Sequence, residues 1–140
     1  MELTYILNKC GQATKMIDAL YDFIYNNKNN NIKKNYYEKT LNKKLKKFYI
    51  LRKEVRPLLN IPLNFDYDSY YSKYIQKYTI KLKSLTFNEY SNKTNKIRHI
   101  LNEIEDKYEL NNDFTYVVII LAICDACIHF IKNIFIQKQI

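Results

Sequence analysis

The residues able to do chemistry fall in two places. Cys124-Asp125-Ala126-Cys127 sets two thiols at the spacing used for disulfide exchange, with His129 two positions on. Such a site needs its first cysteine at a helix N-terminus, where exposed amides and the helix dipole stabilise the thiolate. Only 13 residues follow Cys127, too few for the crossover and strands of a thioredoxin-like fold. A metal site would use Cys124, Cys127 and His129, with Cys10 from far along the chain. On a helix, positions 124 and 127 share a face while 129 points away from 124. Buried core thiols are therefore expected, with no metal and no cofactor. Asp125 needs a partner if its helix is buried, because an isolated carboxylate in an apolar setting stays neutral or costs several kcal/mol. Pairing with a Lys or Arg, or access to solvent, is the expectation; a binding role in a groove is the alternative.

The second place is the run from residue 28 to 60. It holds nine Lys and two Arg against Glu38 and Glu54, so this quarter of the chain carries the whole net charge of +9. The dominant residue types (20 Lys, 17 Asn, 19 Ile, 14 Tyr, 7 Phe) all have A/T-rich codons, so compositional bias alone supplies lysine. Such bias predicts an even spread, and the clustering departs from it. Lys33, Lys34, Lys39, Lys43, Lys44, Lys46, Lys47, Arg52, Lys53 and Arg56 surround a narrow apolar line, making 28–56 the expected nucleic-acid-binding surface. Lysines act as point charges, suited to a phosphate backbone more than to base edges. Tyr36 and Tyr49 fall off the apolar line, where they can stack on bases or sugars. Lys43, Lys44, Lys46 and Lys47 flank that line and should be dispensable for folding. Lys73, Lys77 and Lys81, at i, i+4 and i+8, would extend the patch. An acidic protein or an anionic surface would suit the same charges.

Catalysis finds little support. A single glycine, Gly11, excludes dinucleotide-binding loops, P-loops and nucleophile elbows. His99 follows Arg98 in a solvated run, and none of the four serines (Ser69, Ser72, Ser84, Ser91) sits among small residues. A non-catalytic protein with no small-molecule substrate is expected.

Helices must position these groups, since one Gly and two Pro cannot punctuate a many-stranded sheet. Leu3, Ile6, Leu7, Cys10, Ala13, Ile17, Leu20, Tyr21 and Ile24 recur at helical steps, and Asn26 to Asn31 end that helix. A second helix runs from about Ile32 to Val55 on Tyr37, Leu41, Leu45, Phe48 and Val55. Pro57 and Pro62 bracket a connection. Asp66 or Asp68 caps a third helix with the stripe Tyr67, Tyr71, Tyr74, Ile75, Tyr78, Leu82 and Leu85. Thr86-Phe87-Asn88-Glu89 reads as a capping box opening a fourth, which carries Tyr90, Ile97, Ile100, Leu101, Ile104 and Tyr108. Residues 1–140 form one helical domain. The first residues lack the apolar core of a signal peptide, and three cysteines make no disulfide framework. An intracellular, cytoplasmic setting is the expectation.

The segment Phe114 to Lys138 is apolar around its circumference, as a buried central helix or a membrane span would be. Asp125 near its middle favours burial, because a mid-bilayer charge costs about 2.5–3.5 kcal/mol; Ile119, Ile120, Ile123 and Cys127 should then be largely buried. The fold expected is all-α: four to five helices, amphipathic ones packed around this last one. Val117-Val118-Ile119-Ile120-Leu121-Ala122-Ile123-Cys124, following the polar turn Asn112-Asp113, resembles the central hydrophobic helix of viral Bcl-2-like proteins. The resemblance covers about 20 residues, and Asn112-Asp113-Phe114-Thr115 stands where that family carries Asn-Trp-Gly-Arg. It implies capture of a partner helix in a surface groove.

Overall fold

The computed structural model describes residues 3–27, 34–83 and 112–138, and 91% of them are helical. The described residues form four helices: α1 (Leu3–Asn26), α2 (Lys34–Val55), α3 (Tyr67–Lys83) and α4 (Asn112–Lys138). A short 3-10 turn, Arg56–Leu58, follows α2. No strand occurs among the described residues.

Helix α4 is the hub. Between Val117 and Ile128 every residue is buried except Ile119 and Asp125, which are half-buried. An amphipathic helix hides one stripe, so burying this circumference takes several neighbours. Helices α1, α2 and α3 each pack on α4, and α1 also packs on α2. Asp113–Ile136 is long and apolar enough to cross a membrane, but 67% of its most apolar window is buried inside the bundle.

Each surrounding helix contributes the stripe its periodicity predicts, with shifts at the edges. In α1, Ile6, Ala13, Ile17, Leu20, Tyr21 and Ile24 are buried, while Leu3 and Leu7 are exposed. In α2 the line is Leu41, Phe48, Leu51 and Val55, with Tyr37 and Leu45 half-buried beside it. Leu51 is a core residue that the expected line omitted.

In α3 the buried row is Tyr70, Tyr74, Tyr78 and Leu82; Tyr67, Tyr71 and Ile75 flank it. Tyr70 is therefore a correction to the expected stripe. Its ring stacks on Phe114 of α4 at 5.7 Å, and its hydroxyl lies 3.2 Å from the Thr115 hydroxyl. Phe65 meets Tyr70 and Phe114 edge-on, closing an aromatic cluster between α3 and α4.

Helix ends follow local chemistry. Asp66 caps α3: its Oδ1 accepts from the Ser69 amide at 3.3 Å and its Oδ2 from the Ser69 hydroxyl at 2.7 Å. These bonds hold the Asp66 carboxyl below its usual range. Before it, Asn64 adopts φ 62° in the turn, a left-handed conformation that Asn tolerates better than most residues. The capping box Thr86–Glu89, the helix expected after it, Leu85 and His99 lie outside the described residues.

Candidate nucleic-acid interface

The outer face of α2 follows from its inner one. With Leu41, Phe48, Leu51 and Val55 turned to the bundle, helical geometry assigns the opposite side to Tyr36, Lys39, Lys43, Lys46, Ile50 and Lys53, at alternating steps of three and four. All six are exposed, Tyr36 at 60% and Ile50 at 57%. Lys47 is exposed beside them. The row runs about 26 Å along the helix axis at 1.5 Å per residue.

Two carboxylates lie on α2, Glu38 and Glu54. Glu54 is ion-paired with the Lys9 ammonium of α1, which raises the pKa of Lys9. Glu38 lies half-buried off the row.

The ten expected binding residues do not behave alike. Lys39, Lys43, Lys46, Lys47, Lys53 and Arg56 are exposed. Lys33 lies outside the described residues, as does the side chain of Lys34. Lys44 is half-buried, its ammonium 5.7 Å from the ring centre of Phe23 in α1. Burial pulls its pKa below the usual lysine value, and the nearby Lys47 charge adds to this. Lys43, Lys46 and Lys47 thus stand clear of the core, whereas Lys44 is held against Phe23.

Arg52 is also committed inward. Its guanidinium donates to Oδ1 of Asp125 at 2.9 Å and lies 5.0 Å from the ring centre of Tyr49. The other Asp125 oxygen accepts from the Tyr71 hydroxyl. Three helices thus meet at one carboxylate. Burial, then the bond to Asp125, drives the Tyr71 pKa upward and keeps its phenol protonated. Asp125 and Arg52 each keep 32% exposure, so the pair sits at the rim of the bundle.

The inward turn of Lys44 and Arg52 had a signal in the sequence. Lys44 stands three after Leu41 and four before Phe48; Arg52 stands four after Phe48 and three before Val55. Both flank the buried line rather than oppose it. Lys132 and Pro57 were not anticipated. The Lys132 ammonium lies 5.2 Å from the Tyr49 ring centre, bringing α4 to the same rim. Beside it, Tyr49, Arg52, Lys53, Arg56 and Pro57 line an open depression of about 500 Å³.

The file Lys73, Lys77 and Lys81 does not stand out from the surface as an extension would. All three are half-buried, with Lys77 over Tyr78 at 5.3 Å and Lys81 over Tyr21 of α1 at 4.6 Å.

The thiols are core groups. Cys124 and Cys127 are buried, and His129 is exposed. Burial pushes the Cys124 thiol up to about 12 and the Cys127 thiol well above its ordinary value. Both are protonated at neutral pH, the opposite of an activated nucleophile. Among the described residues no three His, Cys, Asp or Glu side chains converge as metal ligands would. A second depression, of about 530 Å³, lies where α1, the α2–α3 connection and α4 meet, lined by Ile6, Pro57, Leu58, Pro62, Phe114 and Val117 among others.

Compared with known proteins, this chain matches no family model, no curated protein and no solved structure.

Proposed function

We propose that this protein is a non-catalytic helical binder of nucleic acid that contacts the phosphate backbone through the outer face of α2. The observation that carries this reading is the exposed row Lys39, Lys43, Lys46 and Lys53, with Tyr36 and Ile50 in the same line. Ammonium groups on a rigid helix neutralise successive phosphates and release condensed counterions, without reading base identity. Tyr36 offers an exposed ring to an unstacked base. Binding of a labelled oligonucleotide, followed by anisotropy at several salt concentrations, tests the reading. Affinity should fall with salt at roughly −0.7 to −0.9 in log–log slope for each phosphate contacted.

A second reading, capture of a partner helix as the viral Bcl-2-like resemblance implies, draws on the depression between α1, the α2–α3 connection and α4. Leu63, next to Pro62 in the chain, is 91% exposed, and Leu3 and Ile61 are exposed as well. Apolar surface of this kind suits a protein partner. Absence of any nucleic-acid binding at about 50 mM salt would put this reading first.

A further inference from the structure

We propose that the depression lined by Tyr49, Arg52, Lys53, Arg56 and Pro57 is a subsite for a phosphate monoester, carried at the end of a nucleic-acid strand lying along α2. The inference rests on the proposed function and adds to it a fixed point at one end of the row.

Three observations support it. First, the basic row leads into this depression. Lys53 belongs to both, and Pro57 with the 3-10 turn Arg56–Leu58 closes the path along the helix. A strand following the lysines arrives there and has no further lysine of α2 to follow. Second, Arg52 is held in place. Its bond to Asp125 and its stacking on Tyr49 restrict the side chain before any ligand arrives, so less conformational entropy is lost on binding than for a free surface lysine. A guanidinium carries five N–H donors, and among the described residues Asp125 takes only one bond from it.

Third, the local charge suits a dianion. Arg52, Lys53, Arg56 and Lys132 gather around Tyr49 and the depression, with Asp125, among the described residues, as the carboxylate paired with Arg52. The C-terminal end of α2 opposes an anion with roughly half an elementary charge, which this excess outweighs. A phosphate monoester carries about −1.5 to −2 at neutral pH, more than a diester within a strand. Tyr49 and Pro57 present apolar surface to the adjoining sugar or base.

The experiment uses the full chain and three oligonucleotides of one sequence: 5′-phosphorylated, 3′-phosphorylated, and hydroxyl at both ends. Adenosine 5′-monophosphate is a fourth probe. The expected result is binding of one phosphorylated form about tenfold tighter than the hydroxyl-ended one, as one charge-assisted hydrogen bond would give. Arg56→Gln, at an exposed position, should abolish that preference, so that phosphorylated and hydroxyl-ended forms bind this variant equally. Arg52→Gln should act likewise, and Arg56→Gln decides the matter if Arg52→Gln impairs folding. Equal binding of all three oligonucleotides overturns the inference and leaves the backbone-binding reading standing. If only the mononucleotide binds, with Arg56→Gln removing it, the subsite holds for a free nucleotide and the backbone reading falls. Binding of no probe overturns both.

Discussion

Asp125 shows how one polar group is accommodated beside an apolar core. Its carboxylate accepts from Arg52 of α2 and Tyr71 of α3, so removing either donor leaves charge incompletely compensated. A fully buried pair would cost 3–5 kcal/mol to break; with a third of each side chain exposed, solvent screening lowers this. Arg52→Ala and Asp125→Asn should each destabilise by about 1–2 kcal/mol in urea unfolding, with a double-mutant coupling of about 1 kcal/mol. Strict additivity would show that the pair contributes nothing. Cys124 sets a second prediction. Its folded pKa of about 12 lies above the ordinary value of 9.0, so between these the unfolded chain loses a proton that the folded chain keeps. Stability is therefore unaffected at neutral pH and falls as pH rises above about 9, by on the order of 2 kcal/mol at pH 11 from this thiol alone. Cys127 and Tyr71 shift the same way, and Lys44 the opposite way. Urea midpoints that stay level from pH 8 to pH 11 would contradict this. The pairing of Asp125 was foreseeable as a need; that Arg52 would meet it depended on how helices 73 residues apart pack.

At the scale of elements, the two helices most unlike each other make opposite predictions. A Cβ added at Gly11 in α1 meets nothing within 4 Å, so Gly11→Ala should stabilise by about 0.5–1 kcal/mol through helix propensity and chain entropy. Ile120 in α4 is fully buried, and Ile120→Ala should cost about 2–5 kcal/mol. Thermal melts of the two variants should move apart; a destabilised Gly11→Ala would mean that α1 packs more tightly there than described. The period of α1 and α2 was legible because apolar side chains mark one face. In α3 it was less so. Tyr67, Tyr70, Tyr71, Tyr74 and Tyr78 occupy both the buried row and its flanks, and tyrosine, with an apolar body and a polar tip, satisfies either place. The phase was settled by Phe114 and Thr115 of α4, which receive Tyr70. In α4, Ile119 is half-buried and packed against the core.

For the whole molecule, the excess of nine positive charges is organised by which faces the core consumes. Packing turns Lys44 and Arg52 inward, pairs Lys9 with Glu54, and leaves Lys39, Lys43, Lys46, Lys47 and Lys53 at the surface of one helix. Clustering was readable from the linear order of charges, and the spacing of Lys44 and Arg52 to the buried line marked them as flanking it; their partners, Phe23 and Asp125, were not readable, since they depend on how the helices pack. The central claim is that these available lysines bind phosphate. The measurement is oligonucleotide affinity between about 50 and 200 mM salt, for wild type and for a variant with Lys39, Lys43, Lys46 and Lys47 changed to Glu. Lys44 stays unchanged because of its place on Phe23. About four phosphate contacts predict a roughly 50- to 150-fold loss of wild-type affinity over that range. The variant should bind weakly, with a nearly flat salt dependence, and its urea midpoint should match wild type because the altered side chains are exposed. Equal affinity of variant and wild type, or binding that ignores salt, would contradict the account.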